Sequence, residues 1–271
     1  MMIMVIVNYA KGDATAFCTE LINFLKDRGC EYSLHEYDYE GRYPKERLSL
    51  CDAVIAVGGD GTIIHSAKAV AKENKSILGV NTGSLGFTAG METDELDLIQ
   101  CLLDGKYVIQ QRMMLEADII SDRTEKKLLA LNDIVVSGEV SKIMDYSISM
   151  DNNRIYSYRA DGFIVSTPTG STAYALSAGG PVIDPSISCI EYTPICPHSL
   201  FNRSMIFGEQ TELKAIISKQ NTGSVYLSAD GGAQEKINGK EEIIFRRAAY
   251  HAKFISFKNK NFYDILNKKI I

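Results

Sequence analysis

Ala53-Val54-Ile55-Ala56-Val57-Gly58-Gly59-Asp60-Gly61-Thr62 opens on five apolar residues that run without alternation into a pair of glycines. An unbroken apolar run of this length, closed by glycine, reads as a strand buried on both faces. Beyond it Ile63, Ala67, Val70 and Ala71 recur on one helical face. Strand, glycine turn and helix together make the start of a β-α unit. Glycines at such a turn let the backbone approach a ligand closely and adopt positive φ. The free N–H groups and dipole of the helix that follows favour phosphate. Two phosphate loops are excluded. The dinucleotide fingerprint needs glycine or alanine where Ile64 stands, and the Walker loop needs a Gly-Lys-Ser/Thr that is absent. Asp60 is out of place beside bound phosphate, which repels a carboxylate. It can accept a proton from an attacking hydroxyl or help to hold Mg²⁺. Alternatively it hydrogen-bonds its own backbone in a tight strand–helix turn.

Working outward, the same alternation fills the first third of the chain. Ile3 to Val7 reads as a strand. Phe17, Leu21, Phe24 and Leu25 form a helical face with Asp13 as a candidate cap and Gly29 as a stop. Tyr32 to Tyr37 and Ile77 to Val80 read as further strands, and Leu96, Ile99 and Leu103 mark a helix. This rhythm implies a parallel sheet with helices on its faces. From about Arg112 the period changes to two: Leu115, Ala117 and Ile119, then Tyr146, Ile148 and Met150, alternate with polar neighbours. Short strand-like runs near Ile134, Ile155, Phe163, Leu213 and Val225, with turns at Asn152-Asn153 and Asn221-Thr222-Gly223, imply a mainly β second domain. Thr169 to Gly180 is rich in small residues and fits a short helix. Phe262 to Lys269 reads as a helix. The expected division is an α/β domain at 1–112, onto which 250–271 packs back, and a β-rich domain at 113–249.

Two further clusters carry polar chemistry. Thr167-Pro168-Thr169-Gly170-Ser171-Thr172-Ala173-Tyr174 places five hydroxyls within eight residues, followed by Ser177, Gly179, Gly180 and Pro181. Hydroxyls and N–H groups at a turn entering a helix can hold phosphate or ribose oxygens, and Tyr174 can stack on a base. The alternative is a Ser/Thr-rich surface turn. In Asn132-Asp133 an amide can read an adenine edge and a carboxylate can accept from its amino group. As an isolated dipeptide it reads rather as a turn, as do Asp161-Gly162 and Asp230-Gly231. His35, His65, His198 and His251 are read as structural.

The bulk composition limits the alternatives. The 271 residues suffice for a substantial core. Formal net charge is −5, from 29 Lys and Arg against 34 Asp and Glu, so no basic excess points to nucleic acid. Six cysteines at 18, 30, 51, 101, 189 and 196 make no C-x-x-C pair and read as reduced thiols of a cytoplasmic protein. The apolar start at Met1 to Val7 lacks the pattern of a signal peptide, and no run is long enough to span a membrane.

In order along the chain, GGDGT at 58–62, NTGSLGF at 81–87, ND at 132–133, RADGFIVSTPTGSTAYALSAGGP at 159–181, PICPH at 194–198 and ADGG at 229–232 resemble the NAD kinase family. GGDGT alone is shared in related form with lipid kinases and phosphofructokinases; the TPTGSTAY run with its following GGP is far more specific. The resemblance implies an α/β N-terminal domain with a Rossmann-like, phosphofructokinase-like parallel sheet and a β-rich C-terminal domain. It implies phosphorylation of the 2′-hydroxyl on the adenosine ribose of NAD, giving NADP, with Mg²⁺ or another divalent cation and ATP or polyphosphate as donor. By the same resemblance Asp60 is the general base and Gly61 lies beside NAD. Asn132 and Asp133 bind its adenine side. Asp161, Thr172, Ala173, Tyr174 and Ser177 line the rest of its site, and Arg159 reaches a phosphate or a neighbouring subunit. Gly58, Gly59 and Thr62 serve the donor. No metal ligand is assigned, and a homodimer or homotetramer is implied.

This sequence departs from the family at two places. Asp133 replaces the usual Glu, keeping the charge but losing a methylene of reach. After Asp230-Gly231 many members carry Gln, whereas Gly232 stands here and Gln234 comes later. The rival expectations are a lipid kinase of the diacylglycerol kinase type and a non-enzymatic NAD-binding sensor; the intact Asp60 argues against the sensor, and the ND and PICPH elements against the lipid kinase.

Overall fold

The computed structural model describes residues 1–83, 86–121, 125–151, 153–237, 241–257 and 262–269. Ser84 and Leu85 of the NTGSLGF motif and Asn152 of the expected turn lie outside them. The chain divides into two compact units, Met1–Arg112 with Tyr250–Ile271, and Met113–Ala249.

The first unit begins with β1 (Met2–Val7), α1 (Ala14–Asp27), β2 (Glu31–Glu36), α2 (Lys45–Leu50), β3 (Ala53–Gly58), α3 (Asp60–Lys72), β4 (Ser76–Asn81), β5 (Met91–Glu92) and α4 (Leu98–Leu103). The strands pair in parallel in the order β2-β1-β3-β4. Alternate residues of the buried strands serve opposite faces. Ile3, Val5, Val7, Ile55, Val57, Leu78 and Val80 share a core with Phe17, Leu21 and Leu25 of α1 and with Ile99 and Leu102 of α4. α3 covers the other face, where Ile63 packs so closely on Gly79 that a Cβ there would stand 2.9 Å from its side chain. Burial on α3 is wider than one stripe: Thr62, Ile64, His65 and Ser66 are buried with Ile63, Ala67, Val70 and Ala71. α1 ends as expected at Gly29, whose φ of +63° suits glycine. Asp13 sits at the N-cap, but its side chain makes no capping hydrogen bond.

The chain passes into the second unit within β6 (Val108–Ile120), followed by β7 (Glu125–Ala130), β8 (Asp133–Gly138), β9 (Met144–Met150), β10 (Asn153–Ala160) and β11 (Gly162–Ser166). A 3₁₀ turn at Thr169–Thr172 and the single helical turn α5 (Tyr174–Ser177) interrupt the strands. Then come β12 (Cys189–Ile195), β13 (Met205–Gly208), β14 (Leu213–Ile217), β15 (Val225–Ala229), β16 (Glu235–Ile237) and β17 (Glu242–Ser256). One antiparallel sheet runs β13-β12-β11-β8-β15-β16. In the other layer β9 lies between β10 and β14, β14 pairs with the first residues of β17, and β6 pairs with β7. Their inner faces share one apolar core. Tyr192, Phe163 and Phe245 are its largest buried side chains, with ring centroids 5.7 and 5.9 Å apart in sequence of contact.

β17 returns the chain to the first unit, where Lys253 and Phe254 pair in parallel with Ser76 and Ile77 of β4. α6 (Phe262–Lys269), a helix where the sequence reads as one, follows in that unit.

Candidate functional site

In the first unit the strand order places β1 and β3 side by side with their connections leaving in opposite directions. In open α/β sheets the crevice outside the carboxyl ends of two such strands is where ligands bind. Asn8 follows β1 there and the Gly58–Gly61 turn follows β3. The Asn8 backbone N–H donates to the Val57 carbonyl at 3.0 Å, and its side-chain Nδ2 donates to Thr62 Oγ1 at 2.9 Å. Asn8 therefore pins the start of α3, a function that only the strand order brings out.

Asp60 is the first residue of α3 and Gly59 its N-cap. The Asp60 carboxylate does not fold back on its own turn. Oδ1 accepts from Thr88 Oγ1 at 2.9 Å, and Oδ2 lies 3.5 Å from Lys269 Nζ on α6. Its side chain stays about one-third exposed, at 36%. A Cβ on Gly86 would fall on this carboxylate, so only glycine at that position lets the backbone lie against it. The glycines of the turn act differently from the expectation. Gly59 has φ −83°, and positive φ is found at neither Gly58 nor Gly61. Gly58 is buried against Thr62, and a Cβ there would stand 2.7 Å from that side chain. Gly59 and Gly61 face open space. Thr62 is itself buried and its hydroxyl engaged by Asn8. The surfaces of the turn open to a ligand are thus Gly59, Asp60 and Gly61.

In the second unit, pairing register sorts the remaining motif residues. Ser166 pairs with Asp133, and Ala229 with Ile134, so the Asn132, Thr167 and Asp230 segments meet at one end of the sheet. Asp230 ties them together. Its Oδ2 accepts from the Leu131 N–H at 2.9 Å, and its Oδ1 from the N–H groups of Asn132 at 2.8 Å and Asp133 at 3.2 Å. Its own N–H donates to the Asp133 carbonyl, and its φ is +51°, a conformation that Asp tolerates better than most residues. Thr167 donates its N–H to Asn132 O and its hydroxyl to Leu131 O. Gly170 packs directly on the Asn132 backbone, where a Cβ would stand 2.7 Å from Asn132 Cα. Ser171 is buried, bridging Pro168 and Ile183.

These contacts hold Asn132 half-buried against Gly170, at the start of the 3₁₀ turn and α5 that carry Thr172, Ala173, Tyr174 and Ser177. Tyr174 is 47% exposed, while Asp133 is only 5% exposed. Beneath this group lies Glu191, fully buried, accepting from Ser166 Oγ at 2.9 Å and Thr193 Oγ1 at 2.8 Å. Burial pushes its carboxyl above the usual range, and the two hydroxyls partly offset that rise. Gly180 packs on it, since a Cβ would strike the carboxylate.

Arg159 and Asp161 are not part of that group. Gly162 pairs with Ser137 and Ile195, at the opposite end of β11 from Ser166. Six residues of extended chain separate Asp161 from Thr167, roughly 20 Å at about 3.3 Å per residue. Asp161 is exposed there, and Arg159 points to Asp145 at 4.0 Å with its carbonyl accepting from the His198 N–H. His65 on α3 is structural, hydrogen-bonded to Tyr37 at 3.0 Å and packed on Tyr39.

The motif order and this architecture have counterparts among known proteins. The family model for the ATP-NAD kinase N-terminal domain matches residues 34–107, and that for the C-terminal domain matches residues 131–257. The NAD kinase of Caldanaerobacter subterraneus subsp. tengcongensis is 37% identical over 276 residues, spanning 98% of this chain and 97% of its own. The chain belongs to the NAD kinase family. Another NAD kinase, from Clostridium botulinum (strain Kyoto / Type A2), is 40% identical over 236 residues, or 86% of this chain and 83% of that one. An NAD kinase from Archaeoglobus fulgidus, solved in complex with ATP, has the same fold at a TM-score of 0.79 and 26% identity, covering 99% and 98% of the two chains. Yeast NADH kinase complexed with NADH matches in fold at a TM-score of 0.85 and 22% identity, covering 100% of this chain and 87% of that one. Membership of the NAD kinase family sets aside the lipid-kinase alternative that the GGDGT turn alone had left open. Among the described residues no helix is long and apolar enough to cross a membrane.

Proposed function

We propose that this chain, a kinase acting on NAD, transfers a phosphoryl group from ATP or polyphosphate to the 2′-hydroxyl of the adenosine ribose, with Asp60 as the base. The observation that carries the reading is the state of the Asp60 carboxylate. It stands at the N-terminus of α3, outside the carboxyl ends of β1 and β3, held by Thr88 and Lys269 rather than by its own turn. With one contact on each oxygen, from Thr88 and Lys269, this carboxylate is anchored from the side, stays partly open and keeps acceptor positions for substrate. It accepts the hydroxyl proton as the ribose oxygen bonds to phosphorus and the donor's bridging oxygen leaves with its electron pair.

Gly61 lies beside NAD, and the backbone around Gly59 serves the donor phosphates, with Gly58 and Thr62 shaping the turn from behind. Asn132 and Asp133 read the adenine side of NAD; Thr172, Ala173, Tyr174 and Ser177 line the remainder, Tyr174 offering a ring face. Arg159 and Asp161, at the other end of β11, serve the site of a neighbouring subunit in a homodimer or homotetramer. Among the described residues no group of three or more His, Cys, Asp or Glu side chains is arranged around a metal position. A divalent cation would therefore be held chiefly by the donor's own phosphate oxygens with Asp60 nearby, which is the usual manner of Mg²⁺ in kinases. Bound there it would neutralise phosphate charge. The six thiols all stand free, which suits the reducing cytoplasm.

Asp60→Asn tests the reading. Turnover to NADP should fall by about 10²–10⁴, the usual worth of general-base help, while NAD affinity measured by calorimetry stays within a few-fold. Near-normal turnover in the variant would sink the assignment.

A further inference from the structure

Asp60 has a second partner that neither the turn nor its neighbouring strands supply. Lys269, the last described residue of α6, reaches it from 209 positions away in sequence, with Nζ 3.5 Å from Oδ2. The contact is built rather than incidental. Phe262, at the start of the same helix, packs on Phe87 with ring centroids 5.8 Å apart, and the Lys269 ammonium lies 5.2 Å from the centroid of that Phe87 ring. One aromatic side chain thus receives both ends of α6, seven residues and roughly 10 Å apart along the helix, and fixes the lysine over the aspartate. The Lys269 side chain, 26% exposed, is drawn in toward Phe87 and Asp60 from a helix whose one buried residue is Ile265.

We propose that Lys269 is a phosphate-binding residue of the transfer step, holding the migrating phosphoryl group against the hydroxyl that Asp60 deprotonates. This rests on the reading of Asp60 as the base. An ammonium has three N–H donors and one is spent on Asp60 Oδ2; the others remain for phosphoryl oxygens. A hydroxyl hydrogen-bonded to Asp60 on the Oδ2 side brings its incoming phosphorus toward Nζ, which stands 3.5 Å from that oxygen. In the step the ribose oxygen–phosphorus bond forms, the bond from phosphorus to the donor's bridging oxygen breaks, and the hydroxyl proton passes to Asp60. Negative charge that begins on one carboxylate and a bound phosphate moves onto the phosphoryl oxygens and the leaving group, and Lys269 stays beside it throughout. The same ammonium offsets the repulsion between the Asp60 carboxylate and a bound phosphate, because it lies beside that carboxylate.

The test uses the full chain with Lys269→Met, which keeps the stem, and Lys269→Arg, which keeps the charge, assayed with MgATP and separately with polyphosphate. Lys269→Met should lower kcat by at least about tenfold, toward the loss seen when a single transition-state donor is removed, with NAD affinity and thermal midpoint unchanged. Lys269→Arg should recover most of that loss. A change with MgATP alone assigns the contact to the nucleotide donor, and a change with both assigns it to the terminal phosphoryl group; either supports the proposal. A Lys269→Met enzyme within about twofold of wild type in kcat and donor KM would overturn it, as would equal losses in both variants with a lowered thermal midpoint, which marks a packing role. Failure of the Asp60 reading is distinguishable, because then Asp60→Asn itself keeps its turnover whatever Lys269→Met does.

Discussion

Replacing Asp230 by alanine should damage both the stability of the second unit and its hold on NAD, although Asp230 itself is not among the residues assigned to the ligand. Its carboxylate accepts three consecutive backbone N–H groups, from Leu131, Asn132 and Asp133, at 2.9, 2.8 and 3.2 Å. A hydrogen bond to a charged group contributes about 1.5–3 kcal/mol, so three would sum to roughly 5–9 kcal/mol if water could not replace them. Asp230 is half-buried, so water re-pairs part of what is lost, and about 3 kcal/mol is the expected cost. With a urea m-value of roughly 3 kcal/mol/M, that lowers the unfolding midpoint by about 1 M. The released strand start would let Asn132 drift, and NAD affinity should fall at least about tenfold, since 1.4 kcal/mol is one decade. Urea unfolding followed by circular dichroism gives the first number, and calorimetric titration of NAD below the melting range gives the second. Asp230→Asn keeps an oxygen for the two N–H groups on Oδ1 and should lie between the variants. An alanine variant with an unchanged midpoint and wild-type NAD affinity would refute the idea that this carboxylate organises the segment.

Tyr174→Ala and Asn132→Ala should each weaken NAD binding while leaving the unfolding midpoint nearly untouched, since both side chains are accessible; wild-type affinity in both would place the nicotinamide dinucleotide elsewhere. Glu191→Gln should change how stability depends on pH. Burial raises the carboxyl of Glu191 in the folded state, so the native protein binds more protons than the unfolded chain above the unfolded carboxyl value of about 4.3. Its contribution is therefore fully present below that value and lost as pH rises through the higher folded one. The neutral amide keeps its partners Ser166 and Thr193 across that window, so unfolding midpoints measured from pH 4 upward should decline less in the variant; an unaltered decline would show that Glu191 does not titrate there.

Much of this protein was legible from local sequence, because its most informative segments act locally. The apolar run at 53–57 with its glycines could only be a buried strand entering a turn, and the change from helical to twofold spacing near Arg112 marks where helices give way to strands. The ordered motifs were enough to suggest the family. What local pattern concealed was set by pairing at a distance. β17, fifteen residues long, was not read as a strand because its buried positions change phase, from Ile243 and Phe245 to Ala248, Ala252 and Phe254, with Arg246 and Arg247 between; alternation fails where a strand passes from one core to another. α2 was missed because only Leu48 is buried in its six residues, too few for a period.

The site shows the same division. Residue types alone marked Asp60, Asn132 and the Thr167–Tyr174 hydroxyls as chemically unusual. The sheet order chose Asn8, since only adjacency of β1 and β3 brings it to Thr62. Pairing of β8 with β15 gave Asp230 its three N–H partners across nearly one hundred residues, and the register of β11 set Arg159 and Asp161 at the far end from Ser166. Lys269 came to Asp60 only because α6 packs on Phe87. A side chain's chemistry is written in its residue type, but its partners depend on which distant backbone lies within about 3 Å of it, and only the folded chain determines that.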